Sequence, residues 1–240
     1  MIIAANLKTN FTRKQTAQYI AELNNYMNEN GSEQEVLVFP AMSSLDAFDG
    51  KVIVGTQNAY PTENGAFTGE IGLEQLNEFS IKTILIGHSE RRHILKESQE
   101  FIAQKFEYFK NLGFTIVYCV GEPLAKREAS KEEMMAYISA QYEGIDTTYD
   151  KLTIAYEPVW AIGTGLTPTL KDIQEMHQSL KEKSSAPLLY GGSVKVNNAK
   201  EVLSLENVDG ILVGSAALCT EDFCSMINYG DTIEKNKKEK

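Results

Sequence analysis

Glu157 is the acidic residue whose surroundings most strongly indicate chemistry. It directly follows the apolar stretch Leu152–Tyr156, which predicts a buried β-strand with a carboxylate at its carboxyl end. The segment after it combines a proline and a tryptophan with two glycines, Gly163 and Gly165, so that stiff and flexible positions alternate. Such a segment predicts a lid that turns at a few hinge residues and excludes water from a catalytic base. An ordinary solvated loop is the alternative that this stretch alone leaves open.

Other polar residues with catalytic potential also follow predicted strands. Asn6 and Lys8 follow the first strand, and His88, Ser89 and Glu90 follow the fourth. A histidine directly before a helix feels the positive end of the helix dipole, which disfavours the charged imidazolium. A neutral imidazole can donate to a developing oxyanion and accept a proton back. Lys8 would add a fixed positive charge, although most lysines are simply surface residues.

Two small-residue turns predict a phosphate site. Ser193 closes the sequence Gly-Gly-Ser after the seventh predicted strand, and Gly214 and Ser215 follow the eighth. Glycine lets backbone N–H groups approach phosphate oxygens closely, and a helix N-terminus supplies partial positive charge. Each turn alone could equally be structural. Together, with Gly163 able to join them, the turns favour a phosphate site.

A carboxylate base, an imidazole, a lysine and a phosphate cradle suit one kind of chemistry. They favour proton abstraction beside a carbonyl in a small phosphorylated substrate, with the enediolate stabilised on its oxygens. No motif places a base beside a nucleophilic serine or cysteine, and neither a metal-ligand cluster nor a dinucleotide fingerprint is evident. The other histidines, His93 and His177, lie in helical patterns and are predicted to be structural. The sequence therefore predicts isomerisation without a metal or organic cofactor.

The elements that must position these residues alternate between strands and helices. Apolar runs predict eight strands, at residues 2–5, 36–39, 52–55, 83–87, 115–120, 152–156, 188–190 and 210–213. Helices are predicted from a cap at Thr12 to Gly31, around 101–112, over 128–142, from a cap at Thr169, and near 195–204 and 216–228. Eight such units in 240 residues favour a closed (β/α)8 barrel over a doubly wound sheet. In a barrel the strand ends share one rim, which would bring all these polar groups together.

Length and composition predict one domain over residues 1–240, with a short solvated tail near 234–240. Hydrophobic residues make up 42% of the chain, which is enough for a sizeable core. The net charge of −10 argues against a nucleic-acid partner. No apolar run approaches the ~18 residues of a membrane span, and no signal peptide is evident. Three cysteines without disulfide or metal spacing fit a reducing compartment, so the expected location is the cytoplasm.

The motifs NLKTN, QN, GAFTGE, IGHSERR, CVGE, AYEPVWAIGTG, YGGSV and VDGILVG resemble those of the triosephosphate isomerase family over nearly the whole chain. The TIM barrel is named after this family, which is also a standard example of pKa tuning and lid closure. The resemblance implies a cofactor-free aldose–ketose isomerase of glycolysis and gluconeogenesis. Its reaction would interconvert dihydroxyacetone phosphate and D-glyceraldehyde 3-phosphate through an enediol or enediolate.

The resemblance also implies a role for each candidate residue. Glu157 would be the general base, His88 the neutral electrophile and Lys8 the electrostatic stabiliser. Asn6, Ser89 and Glu90 would be supporting polar groups, and Asn6 and Lys8 would also contact the substrate. Phosphate would be bound by main-chain N–H groups of four residues: Gly163, Ser193, Gly214 and Ser215. The family is commonly homodimeric, and loop 57–70 would carry Thr68 to the active site of the partner.

Three positions depart from the family pattern. Leu7 replaces an aromatic residue between Asn6 and Lys8, which changes packing but removes no catalytic group. Ser215 replaces a second glycine, where a positive φ would cost more and weaken phosphate binding. If the alignment has no gap, the far hinge of the lid is Leu166-Thr167-Pro168, and proline restricts one of its rotations.

Two other functions are compatible with parts of the sequence. Another phosphate-binding barrel enzyme, such as a phosphosugar isomerase or an aldolase, would explain the polar rim but not the joint match of both long motifs. A catalytically silent interaction protein on this scaffold would be favoured by a missing base or imidazole, and both residues are present. A coupled assay for glyceraldehyde 3-phosphate discriminates among all three.

Overall fold

Eight parallel strands form a single sheet that curls into a nearly closed barrel, in a computed structural model that describes residues 1–162, 164 and 166–239. The strands are β1 (Ile2–Asn6), β2 (Glu35–Phe39), β3 (Ile53–Val54), β4 (Thr83–Ile86), β5 (Thr115–Val120), β6 (Leu152–Tyr156), β7 (Leu188–Tyr190) and β8 (Gly210–Val213). Their order around the sheet is β3-β2-β1-β8-β7-β6-β5-β4. This arrangement confirms the predicted (β/α)8 TIM barrel.

The seam between β3 and β4 is joined by a single parallel bridge between Thr56 and Ile84. The Thr56 N–H donates to the carbonyl of Thr83 at 2.9 Å, and its own carbonyl accepts from Leu85 N at 2.9 Å. The other strand pairs share two to five register positions each. The barrel is therefore closed here by its smallest set of backbone contacts.

Helices cover the outside of the barrel within the described ranges. They are α1 (Arg13–Asn30), α2 (Leu73–Glu78), α3 (Ser89–His93), α4 (Gln99–Asn111), α5 (Leu124–Arg127), α6 (Lys131–Ala140), α7 (Leu170–Lys181), α8 (Val196–Leu203) and α9 (Thr220–Lys238). Single turns of 3-10 helix occur at Met42–Ser44, Val159–Ala161 and Ser215–Leu218. None of the helices in this part of the chain is long and apolar enough to cross a membrane.

The core has two layers because side chains alternate between the faces of each strand. One layer fills the barrel interior with side chains from every strand except β3: Ile2, Ala4, Leu37, Phe39, Leu85, Val117, Cys119, Ala155, Leu189 and Leu212. The alternate residues pack outward against the helices. The interior layer supports the strand ends from below, which fixes the places where the polar residues of the rim emerge.

The predicted helix caps are confirmed at Thr12 and Thr169, where each threonine forms a capping box with the third helical residue. The helix predicted over 128–142 is present as α6 but begins later, because Ser130 caps it by accepting from Glu133 N at 3.2 Å. The short helix α2 was not predicted. Helix α9 extends through Lys238, and Glu234 within it accepts from the N-terminal amino group.

Candidate active site

A cavity of about 750 Å³ opens at the carboxyl ends of the strands. Its lining includes most of the residues singled out from the sequence: Asn6, Lys8, His88, Glu90, Glu157, Ser193, Gly214 and Ser215. Ser89 lies behind the lining and contacts it through its backbone. Thr68 is exposed in loop 57–70 and does not line this cavity, and Gly163 lies outside the described residues.

Glu157 leaves the end of β6 and is almost fully buried, with 2% of its surface exposed. One carboxylate oxygen, Oε1, lies 2.9 Å from His88 Nε2, and the other accepts from Ser89 N at 2.8 Å. The backbone around it is tightly fitted, since a Cβ atom at Gly121 would lie 1.7 Å from the Glu157 carbonyl oxygen. Glycine is therefore required at position 121 for the base to occupy this place.

His88 caps α3, and its hydrogen bonds assign the tautomer. Its Nδ1 atom accepts from Glu90 N at 3.2 Å, so the proton of the neutral ring resides on Nε2 and is donated toward Glu157. The turn before it is held by Arg92, whose Nε donates to the carbonyl of Gly87 at 2.7 Å. Gly87 has a φ of 78°, a conformation that glycine adopts without steric cost.

Glu157 and His88 shift each other's pKa across their buried contact. Burial raises the pKa of Glu157, but His88, the Ser89 N–H and Lys8 lower it, and the net shift is downward. Burial lowers the pKa of His88, whereas Glu157 and Glu90 raise it, and the net shift is upward. The sequence predicts the opposite direction for His88, because the pattern does not show that Glu157 contacts its ring. If Glu157 turns toward a substrate, burial and the helix N-terminus remain to favour the neutral imidazole.

Lys8 is held in a strained backbone conformation at the edge of the cavity. Its φ of 53° lies in the left-handed region, which costs a residue other than glycine about 1–3 kcal/mol. Gln57 stabilises it by donating from Nε2 to the Lys8 carbonyl at 2.7 Å, and Asn6 Oδ1 accepts from Lys8 N at 3.1 Å. The Lys8 ammonium lies 2.5 Å from Glu90 Oε1. Sequence reasoning missed Gln57, although it lies in the loop assigned to the dimer contact.

The turn after β8 presents the backbone that the sequence assigns to phosphate. The 3-10 turn Ser215–Leu218 begins directly after Gly214, and the first N–H groups of a helical turn lack acceptors within it. A Cβ atom at Gly214 would lie 3.6 Å from Lys8 Cε, so the lysine chain runs beside this turn. Ser215 does not lie in the left-handed region. The prediction that serine at this position strains the backbone is therefore wrong.

The turn after β7 connects the same cavity to the segment that follows Glu157. Ser193 Oγ donates to the Ala161 carbonyl at 2.7 Å. A Cβ atom at Gly192 would lie 2.9 Å from Pro158 Cγ and closer still to the Tyr190 hydroxyl, so this contact needs glycine. The predicted phosphate turn and the first part of the predicted lid are thus packed directly together.

The two ends of segment 158–168 are anchored differently. At the first end, Trp160 Nε1 donates to the buried Glu122 Oε1 at 3.0 Å, and burial raises the pKa of Glu122. At the other end Pro168 is buried directly before the Thr169 cap. Glu122 was not identified from the sequence, although it closes the quoted motif CVGE. Gly165, like the glycine at 163, is outside the described residues.

The remaining histidines, His93 and His177, do not line the cavity. His177 is fully buried in α7, and its Nδ1 lies 2.9 Å from the Asn207 carbonyl. Burial lowers the pKa of His177 to about 4, which keeps the ring uncharged. His93 is partly buried at the end of α3. Within residues 1–162, 164 and 166–239, no group of three or more histidine, cysteine or acidic side chains is arranged to hold a metal ion.

Comparison with known proteins gives similarity along the whole barrel. The family model for triosephosphate isomerase matches residues 1–230. The triosephosphate isomerase of Sulfurimonas denitrificans is 65% identical over 238 residues, which cover 99% of each chain. That of Wolinella succinogenes is 56% identical over 229 residues, covering 95% of this chain and 99% of the relative. That of Helicobacter pylori is 45% identical over 232 residues, covering 95% and 98%.

Proposed function

The chain belongs to the triosephosphate isomerase family, whose members interconvert triose phosphates, and from this premise we propose which residues carry the reaction here. The reaction converts dihydroxyacetone phosphate into D-glyceraldehyde 3-phosphate and back, a step of glycolysis and gluconeogenesis. The observation that carries the proposal is the buried contact of Glu157 with His88 beside Lys8 at the cavity wall. These three groups supply a base, a hydrogen-bond donor and a cation.

In the proposed mechanism Glu157 removes a proton from the carbon beside the carbonyl. The electrons of the C–H bond form the enediolate, and the same carboxyl group returns the proton to the neighbouring carbon. His88 gives its Nε2 proton to the oxygen that becomes negative and takes up the proton of the neighbouring hydroxyl, whose oxygen becomes the new carbonyl, while Lys8 stabilises the charge. The carboxylate must first leave Ser89 N and His88 Nε2, and losing these donors raises its basicity at the moment of use.

The other candidate residues support this chemistry. Asn6 and Lys8 would contact the substrate, and Glu90 fixes both the lysine ammonium and the histidine Nδ1. Main-chain N–H groups of Ser193, Gly214 and Ser215 would bind the phosphate. Gly163, which lies outside the described residues, would contribute a fourth. In this proposal the phosphate would lie at the turns after β7 and β8, and the reacting carbons near β4 and β6.

A coupled assay for glyceraldehyde 3-phosphate formation from dihydroxyacetone phosphate tests the function directly. The purified chain should turn over this substrate without added metal or organic cofactor. Folded protein with no rate above background would refute the proposed reaction. Cleavage of a larger phosphosugar in its place would favour the aldolase alternative.

We also propose that the chain acts as a homodimer. A smaller cavity of about 290 Å³ adjoins the active site, and its lining includes Lys8, His88, Arg91 and Leu95. Leu95 is 60% exposed and Ile94 70%, which leaves apolar surface uncovered beside this cavity. An exposed loop on a second copy could fill it, and loop 57–70 presents Thr68 for that purpose. Each subunit would then complete the active site of the other.

Replacing Thr68 with glutamate should give a monomer with a turnover number lower by about 10- to 100-fold. The added carboxylate would have to lose its water on entering the cavity, and loss of the partner loop would leave Lys8 and His88 less well positioned. Light scattering after size exclusion should give twice 26.7 kDa for the parent and one chain mass for the variant. The exposed change Lys131→Glu on α6 is the control. A fully active, dimeric Thr68→Glu protein would contradict the proposed contact.

The remaining assignments concern the organisation and location of the chain. We propose that residues 1–240 form one domain whose last residues are solvated, with Lys235, Lys237 and Lys238 exposed on the end of α9. We also propose a cytoplasmic enzyme without nucleic-acid or membrane partners, since a net charge of −10 repels both polyanions and acidic lipid surfaces.

Replacing Pro168 with alanine should change the rate or the balance of lid opening by about 2- to 5-fold. Proline fixes its own φ and restricts Thr167, and relieving such a restraint changes free energy by about 0.4–1 kcal/mol. Relaxation dispersion on the Thr164 and Leu166 amides would measure both rate and populations. The exposed Pro187 before β7 supplies the control substitution. Indistinguishable exchange in the parent and Pro168→Ala would contradict a role for this proline.

A further inference from the structure

Arg127, the last residue of α5, contacts both ends of segment 158–168. Its guanidinium carbon lies 5.4 Å from the centroid of the Trp160 ring at the first end. Its Nη2 atom lies 2.5 Å from Asp172 Oδ1 at the other end. The second carboxylate oxygen of Asp172 accepts from the backbone N and the hydroxyl of Thr169, at 3.0 and 2.6 Å. One side chain therefore joins the first hinge to the helix cap that follows the second.

The planar guanidinium suits this double contact. An arginine can place its face on an aromatic ring while its edge pairs with a carboxylate, and lysine cannot do both. The indole N–H of Trp160 is held separately by its hydrogen bond to Glu122. Both partners of the ion pair are partly buried, at 24% and 34% side-chain exposure, which limits screening by solvent.

We propose that Arg127 is a positioning residue that ties the two ends of the lid together, so that both hinges turn as one body. The proposal rests on the proposed function of segment 158–168 as a lid. Helix α5 belongs to the unit that follows β5, outside the segment itself, and gives both hinges one fixed reference point. Without this tie each end can move at its own rate.

The variants Arg127→Met, Asp172→Asn and the double variant test the tie. Asparagine keeps an oxygen acceptor for the Thr169 cap while removing the charge that attracts Arg127. Exchange should be followed by relaxation dispersion at the Trp160 indole N–H and the Leu166 amide, with glycerol 3-phosphate bound as a non-reacting ligand. Trp160 is the sole tryptophan of the chain, so its indole signal is unambiguous.

The parent should show one common exchange rate at both probes. Each single variant should separate the two rates by at least about 2-fold and lower kcat/KM by up to about 5-fold, the range of a partly exposed ion pair. The double variant should be no worse than the worse single variant, because one shared interaction is lost. Arg127→Lys should rescue little, since it restores the charge without the planar face.

The pair Arg13 and Asp46, also 2.5 Å apart, supplies the matched control, with side-chain exposures of 67% and 34%. Arg13→Met and Asp46→Asn should leave both exchange rates and kcat/KM unchanged. A common exchange rate retained in both single variants would overturn the proposal, as would additive losses in the double variant or equal changes in the control pair. Because exchange is measured with a ligand that does not react, an inactive parent would refute the proposed reaction without deciding this test.

Discussion

Glu157→Gln should lower kcat by about 10²- to 10⁴-fold, the usual contribution of a general base. Glutamine keeps the size of the side chain and can still accept from Ser89 N, so the fold and the cavity should remain intact. The amide cannot take a proton from carbon at neutral pH. Because the pKa of Glu157 is lowered in the free site, the parent carboxylate is ionised and ready to act. Steady-state kinetics in both reaction directions would measure the loss.

The controls separate loss of the base from loss of structure. Glu157→Asp retains a carboxylate but withdraws it by one carbon–carbon bond, and a misplacement of about 1 Å can cost 10²-fold. Glu175→Gln removes an exposed carboxylate from α7 and should leave the rate unchanged. Exchange of the substrate proton with deuterated solvent should fall together with kcat in Glu157→Gln. Unchanged turnover in that variant would exclude this carboxylate as the base.

His88→Gln should lower kcat by about 10²- to 10³-fold, the effect of removing one donor to a developing oxyanion. Glutamine can donate a hydrogen bond, but its amide is a poorer proton donor and lies on a longer, more flexible chain. Binding of glycerol 3-phosphate should change little, because that ligand has no carbonyl for His88 to polarise. Isothermal calorimetry and steady-state kinetics together would show this separation.

His93→Gln is the matched control for the His88 substitution. It changes a partly buried histidine at the other end of the same short helix and should retain the parent rate. An equal loss of kcat in both variants would point to damage to α3 in place of lost catalysis. A His88→Gln enzyme with parent activity would remove the imidazole from the mechanism.

Much of the fold could be predicted because its signals are local. The strand carrying Glu157 was recognisable from a short apolar run, and the caps at Thr12 and Thr169 from residue types three positions apart. Once a barrel is inferred, its geometry alone brings the ends of β4, β6, β7 and β8 to one rim. The grouping of the polar residues thus followed from topology without any knowledge of their contacts.

The details that escaped prediction depend on contacts between distant parts of the chain. Gln57 stabilises the strained Lys8 from another strand end, and nothing in the spacing of either residue indicates that hydrogen bond. The hydrogen bond from Trp160 to Glu122 also joins residues that follow two different strands, and their spacing does not indicate it either. The pKa of His88 depends on the direction in which the Glu157 side chain points. A sequence pattern can identify such residues as polar and buried, but it cannot pair them.

The single bridge at the β3–β4 seam links the stability of the barrel to subunit association in the proposed dimer. Two backbone hydrogen bonds join Thr56 to β4, so we expect local opening of the barrel to begin there. Loop 57–70 begins at the next residue, and in the proposed dimer it is clamped by the second subunit. Subunit association would then protect the weakest part of the barrel from opening. Barrel closure and assembly would then be linked equilibria, and the resistance of the proposed dimer to unfolding would rise with protein concentration.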